Sequence, residues 1–284
     1  MPYEHCLITE REIAQYVGEL RERERSETTI CKYKHSLLEL SEYLGGQPIS
    51  KVKLIEWKEI LCKTYAPATV NLMLTAINCF FQFMGWSEFK IRLLRIQRSL
   101  FRREDKELTQ SEYTRLVRAA EWEGNERLSL ILQTICSTGM RVSELKFVTV
   151  EAVHTGRAEV CNKGKRRTVF LPERLCRLLK KYIEKQKNTA GAVFVTRTGK
   201  PMDRSNIWRE MKALCKRAGV KPEKVFPHNL RHLFARTFYT LEKDLSRLAD
   251  ILGHSSISTT RIYTAESGKI HQKQIERMGL VITT

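Results

Sequence analysis

The 284-residue sequence contains no C-x-x-C pair, no cysteine cluster, and no apolar run near the length of a membrane span. Its eight cysteines stand at positions 6, 31, 62, 79, 136, 161, 176 and 215. That scatter argues against a disulfide framework or a structural zinc site, which want clustered spacing. Reduced, mostly buried thiols are expected instead, since free cysteine in apolar helical surroundings behaves as a small hydrophobe. Residues 1–20 carry charges throughout and lack the apolar stretch of a secretory signal. A cytoplasmic location without a membrane partner follows as the expectation. No internal repeat or low-complexity segment is visible.

Negative charge is also scarce. Thirty-two acidic residues face 50 lysines and arginines, a formal net charge of +18. Residues 1–103 hold 16 basic and 12 acidic residues, whereas residues 104–284 hold 34 and 20. A positive field concentrated in one part of a chain is the usual footprint of a polyanion binder. Composition alone fits an RNA binder as well as a DNA binder. The apolar content of 42% and the length suffice for one large domain or two ordinary ones with real cores.

The first hundred residues read as four helices. Thr9-Glu10-Arg11-Glu12 is a capping box opening a helix to about residue 23. A second runs from about Ser26 to Gly45-Gly46, and Ser50 caps a third through Tyr65. Pro67 starts the fourth, whose apolar face comprises Val70, Leu72, Leu74, Ile77, Phe80, Phe81 and Phe83 before Gly85 stops it. Short amphipathic helices of this kind make a compact bundle. The charged stretch at 97–107 reads as a linker, and Thr109-Gln110-Ser111-Glu112 is a second capping box. Domains are therefore expected at 1–96 and 108–284, the second mostly helical with a small β insert. Residues 157–161 and 167–171 read as strands around a glycine-containing turn, with a third short strand at 192–196. Later helices are predicted over about 204–218, 228–240 and 244–252.

Six residues carry candidate chemistry: Arg141, Lys163, His228, Arg231, His254 and Tyr263. Two arginines can fork onto phosphate oxygens as a planar clamp, which lysine cannot. A lysine at a hairpin tip can protonate a leaving alkoxide, and histidines exchange protons near neutral pH. A tyrosine becomes a covalent phosphate carrier when cationic neighbours favour its phenolate. Such a set would run phosphoryl transfer without a metal. His228 and His232 at i,i+4 could suggest zinc, but no H-E-x-x-H glutamate accompanies them. Taken singly, Arg141 with Glu144 is no more than an i,i+3 surface ion pair, and Gly253-His254 no more than a helix end.

Together the motifs resemble the tyrosine recombinases, or phage-type integrases. Ser137-Thr138-Gly139-Met140-Arg141-Val142-Ser143-Glu144-Leu145 is similar to that family's first-arginine box, and His228-Asn229-Leu230-Arg231-His232 to its H-x-x-R box. Leu252-Gly253-His254 followed by Tyr263 matches the closing box, and Asn162-Lys163-Gly164-Lys165 the β-hairpin lysine. The resemblance implies a site-specific recombinase in which a helical core-binding domain and a catalytic domain clamp double-stranded DNA. Tyr263 would attack the scissile phosphate and hold a 3′-phosphotyrosine. Arg141 and Arg231 would clamp that phosphate and His254 would hydrogen-bond a non-bridging oxygen. His228 would manage the tyrosine proton and Lys163 would protonate the leaving 5′-oxygen. Lys165 competes with Lys163 for that last role. No cofactor or metal is implied, and the partners would be DNA and three further protomers exchanging strands through a Holliday junction. Residues 267–278 would dock on a neighbouring protomer. A topoisomerase-like nicking–closing enzyme and a catalytically silent DNA binder remain as alternatives. Mobile-element integration and chromosome-dimer resolution would use the same residues.

Overall fold

The computed structural model describes residues 6–96, 104–162, 164–254, 256–263 and 276–278. The chain divides into two compact units, residues 1–98 and 99–284.

The first unit is the helical bundle. Helices α1 (Glu10–Glu22), α2 (Glu27–Leu44), α3 (Lys51–Thr64) and α4 (Pro67–Phe83) begin and end where their capping residues dictate. Thr9 closes its box with Glu12, whose carboxylate takes the Thr9 backbone N–H at 3.0 Å. Ser26 and Ser50 accept from the N–H groups of Thr29 and Lys53, both at 3.3 Å. The inward stripes of all four helices, including Tyr16, Leu37, Leu40, Leu54, Trp57, Leu74, Phe80 and Phe81, form one apolar core. Phe80 meets Tyr16 edge-on at 5.4 Å and Trp86 at 5.9 Å. Leu72, expected on this face, points outward. It is rotated about 200° from Leu74 on the helix, on the side opposite the core stripe.

Past the end of α4 the chain stays with the bundle. Asn78 brackets Ile91, accepting its N–H and donating to its C=O, both at 2.8 Å. Asn71 does the same for Leu94, at 2.7 and 2.9 Å. Two helix side chains thereby satisfy a strand-like segment that has no sheet to join.

The second unit packs α5 (Gln110–Trp122), α6 (Glu126–Thr138), α8 (Glu173–Gln186), α9 (Arg204–Ala218) and α10 (Pro227–Glu242) around a separate apolar core. A short α7 (Val150–Thr155) leads into an antiparallel hairpin, β1 (Arg157–Asn162) and β2 (Lys165–Phe170), in register Arg157↔Phe170 to Asn162↔Lys165. The expected third strand at 192–196 does not form. Thr149↔Ala192 and Val195↔Pro201 make isolated bridges only. The segment splits its pairing between two different neighbours and so builds a ladder with neither.

The C-terminal part of the expected linker is not free either. Glu104–Lys106 makes a 3₁₀ turn, and Asn229 on α10 donates to the Lys106 carbonyl at 2.8 Å. Arg236, also on α10, pairs with Glu107 and donates to the Leu108 carbonyl at 2.6 Å. The rest of the linker, residues 97–103, lies outside the described residues.

Cysteine burial departs from expectation. Cys6, Cys176 and Cys215 are buried, but Cys31, Cys62, Cys79 and Cys161 are exposed on outward faces. All eight are free thiols.

Candidate active site

Helix α10 is the spine of the site. Pro227 occupies its first turn, where a missing N–H costs nothing. His228, Arg231 and His232 then share one face at i, i+3 and i+4. Arg231 is 2% exposed, the largest of the fully buried side chains. Its Nη1 donates to the Gly139 carbonyl at 2.6 Å, and its Nη2 to the Leu252 carbonyl at 2.8 Å. The same Nη2 meets His254 Nε2 at 2.9 Å, and the guanidinium lies close enough to Tyr263 to lower its pKa. One planar fork therefore joins the end of α6, the end of α11 (Leu245–Leu252) and the histidine.

Glycine is required where α6 ends. Gly139 adopts φ +65°, and a Cβ there would lie 2.4 Å from the Phe234 ring. The close approach lets the Gly139 carbonyl reach Arg231 on the same helix as Phe234.

Arg141, two residues on, remains partly open, with 35% of its side chain exposed. Its backbone N–H and its Nη1 donate to the two oxygens of Glu144, at 2.8 and 3.0 Å. Glu144 is 1% exposed, so this is a buried bracket and not the surface pair that the spacing alone allows. Burial pushes its pKa up. The Arg141 N–H and the Arg167 guanidinium more than offset that and hold it below the ordinary carboxylate value.

Arg167 is the residue that sequence reasoning missed as part of this set. It lies on β2 with Val169 two residues on, so it takes the parity of the strand face that enters the core. A charged residue at that parity is the signal that could have found it. Its Nη2 reaches Glu144 at 2.5 Å and its Nη1 the Ile251 carbonyl at 3.0 Å. It also lies over Gly253, where a Cβ would meet the Arg167 side chain at 2.6 Å.

His254 lies in the turn before α12 (Ile257–Thr260), and Tyr263 ends the 3₁₀ turn that follows. Tyr263 is 5% exposed. The His254 ring stacks on it at 6.2 Å between centroids with a 14° tilt, and His232 meets it edge-on at 4.8 Å. His228 in turn meets His232 at 4.4 Å. Two imidazoles thus contact the phenol, a third reaches it only through His232, and Arg231 and Arg141 bring positive charge beside it. His232, considered in the sequence only as a metal ligand, stands between His228 and the tyrosine. Among the described residues no group of three or more His, Cys, Asp or Glu is arranged to hold a metal ion.

The electrostatics follow from this crowding. Burial raises the Tyr263 pKa, while Arg231 and Arg141 pull it back down. Burial also lowers His254 to about 4, reinforced by Arg231, Arg141 and Arg167. His228 is lowered by the protein packed around it, then by Arg231, Arg141 and Arg204. Arg231 itself falls to about 10, from burial and the neighbouring Arg141. At neutral pH His228 and His254 are therefore neutral, while Arg231 and the Tyr263 phenol keep their protons.

Five of the six sequence candidates therefore converge. Lys163 lies outside the described residues, and Lys165 opens β2 opposite Asn162. Of the expected docking segment at 267–278, only residues 276–278 are described.

Comparison with known proteins fits this arrangement. The phage integrase family model matches residues 106–269, and the phage integrase N-terminal SAM-like domain matches residues 13–88. This chain belongs to the phage integrase family. Among curated relatives it is 29% identical to the tyrosine recombinase XerA of Pyrococcus furiosus, over 90% of each chain. It is likewise 29% identical to the tyrosine recombinase XerD of Vibrio cholerae, over 86% of this chain and 87% of that one. In fold it is similar to the XerH site-specific recombinase bound to palindromic difH substrate in a post-cleavage complex. The TM-score there is 0.73 at 21% identity, covering 98% of this chain and 90% of that one. This tyrosine recombinase is a site-specific recombination enzyme, as its sequence motifs imply.

Proposed function

We propose that this recombinase cuts DNA with Tyr263 and stores the broken bond as a 3′-phosphotyrosine. The observation that carries the reading is that the buried Tyr263 phenol meets the rings of His254 and His232 and feels the charges of Arg231 and Arg141. The tyrosine oxygen forms a bond to phosphorus as the bond to the 5′-oxygen breaks. One phosphodiester replaces another, so neither ATP nor an oxidant enters the balance. The phenol is protonated at neutral pH, so its proton needs an acceptor. His228, kept neutral by its surroundings, is assigned that role, with His232 as the ring through which it touches Tyr263. Arg141 and Arg231 neutralise the charge developing on the non-bridging oxygens. Lys163 is assigned the leaving-group proton, with Lys165 as the alternative two residues on.

The same reading assigns residues 1–96 as a core-binding domain and residues 108–284 as the catalytic domain, on either side of a linker. Together they would clamp the duplex. Charge favours phosphate contact chiefly by the second domain. Four protomers would exchange strands in two steps, in the cytoplasm, where chromosomal and mobile-element DNA are both accessible. Among the described residues no helix is long and apolar enough to cross a membrane.

The test incubates the protein with duplex fragments from the DNA flanking its gene, without metal or ATP. Wild type is expected to leave an SDS-resistant protein–DNA adduct and Tyr263→Phe none. An adduct that survives in Tyr263→Phe would overturn the assignment. Recombinant junctions from two DNAs would separate a recombinase from a nicking–closing enzyme.

A further inference from the structure

Thr260 has no place in the chemistry above, yet it is 0% exposed and its hydroxyl lies 2.9 Å from His254 Nδ1. The partner on the other side of the imidazole decides the proton's position. Arg231 Nη2 lies 2.9 Å from His254 Nε2, and a guanidinium has donors only. Nε2 must therefore accept. In the neutral ring the one proton is then on Nδ1, where it is donated to Thr260 Oγ1.

We propose that Thr260 is a positioning residue for strand cleavage: by accepting the Nδ1 proton of the tautomer that Arg231 selects, it fixes the plane of the His254 ring. This inference rests on the function proposed above. The fixed plane is the one that stacks on Tyr263 with a 14° tilt. It keeps Nε2 as the nitrogen that accepts from Arg231, and so helps hold that guanidinium beside Tyr263. A ring protonated at Nε2 and bare at Nδ1 would face the Arg231 N–H with a second donor, so Arg231 selects the tautomer and Thr260 holds the ring in its plane. Because Thr260 closes α12 three residues before Tyr263, the same hydrogen bond ties the position of the histidine to that of the helix delivering the nucleophile. His254 and Tyr263 would then move as a unit.

Two near-isosteric substitutions isolate the hydroxyl. Thr260→Val keeps the shape and removes the acceptor, whereas Thr260→Ser keeps the acceptor. The full-length protein, labelled with ¹⁵N in its seven histidines, gives the tautomer of His254 from its two ring-nitrogen shifts, assigned by comparison with His254→Gln. Cleavage is read as single-turnover adduct formation at saturating duplex from the flanking DNA, with affinity measured separately on the same duplex. Wild type and Thr260→Ser are expected to show an Nδ1 proton protected from exchange with water, and Thr260→Val an Nδ1 proton that exchanges faster. Thr260→Val is expected to cleave about 10-fold more slowly, the lower end of the loss when a metal-bound histidine, the nearest analogue, loses its outer hydrogen-bond partner. DNA affinity should not change, and Thr260→Ser should recover most of the rate. Wild-type cleavage by Thr260→Val would overturn the proposal. So would equal loss in Thr260→Ser, a loss matched by weaker DNA binding, or a wild-type His254 protonated at Nε2. Adduct formation by Tyr263→Phe would remove the parent reading and the positioning role with it, while the histidine spectrum would still report the ring.

Discussion

The two units solve the problem of burial in opposite ways. Among the described residues, the N-terminal bundle buries aromatic and aliphatic side chains and only one polar residue, Ser36, whose hydroxyl returns to the Lys32 carbonyl one turn back. The catalytic unit buries Glu144, Arg231, Asn229 and Thr260 as well as its apolar core. Removing charge from water is expensive unless each donor and acceptor finds a partner. Arg231 and Glu144 each meet several, drawn from segments far apart in sequence. A bundle can gain its stability from area alone. Under the proposed function the site must hold a phosphate and activate a phenol, so it has to keep ionised groups fixed in a dry place at some cost in stability.

The sharpest way to test that contrast is to damage each core in kind. Phe80→Ala in the bundle removes a fully buried ring that touches Tyr16 and Trp86. It is expected to destabilise the fold by about 3–5 kcal/mol, read as a lowered unfolding midpoint of the full-length protein in denaturant. Arg231→Lys keeps the charge but loses the fork that reaches Gly139, Leu252 and His254 together. Single-turnover cleavage is expected to fall about 100- to 1,000-fold, as when one donor to a developing oxyanion is removed. A bundle mutation with an equal effect on cleavage per folded molecule would erase the distinction.

Acid should separate the units more gently. His254 titrates near 4 in the folded protein against an ordinary value of 6.5, and His228 is lowered too. The unfolded chain thus binds more protons as pH falls below about 6.5, and stability drops with it until His254 itself protonates near 4. Glu144, lowered from 4.5, adds a contribution that is present above that value and lost below it. The unfolding midpoint is therefore expected to fall between pH 6.5 and 4, with a shallower slope in His254→Gln. The smallest expected effect is at a cap. Thr109 accepts from the Glu112 N–H at 3.2 Å, and Thr109→Ala should cost about 1 kcal/mol in denaturant unfolding without affecting cleavage at saturating DNA.

Much of this organisation can be read along the chain, for identifiable reasons. Helix boundaries follow from local chemistry: Thr9 and Thr109 announce capping boxes, Ser26 and Ser50 accept at N-termini, and Pro67 and Pro227 sit in first turns. His228 and Arg231 are legible because helical spacing puts them on one face. Errors arose where the deciding partner is remote. The segment at 192–196 has strand-forming residues, but its two neighbours come from different parts of the chain. Arg141 and Glu144 look like a surface pair until Arg167, 23 residues further on, covers the carboxylate. Leu72 was misplaced by counting apolar residues without their rotation around the helix.

The sequence by itself determined which residue types are available and in what local geometry: the helices, the hairpin, the basic balance, and the order of arginine, lysine, histidine and tyrosine boxes. Those properties depend on backbone hydrogen bonds and side-chain spacing within a few residues, so they are written locally. Only the tertiary structure decided that His254 lies between Arg231 and Thr260, that Glu144 is buried, and that Arg167 reaches it. Each of those outcomes depends on burial and on a partner brought in from another segment, and burial is a property of the folded whole.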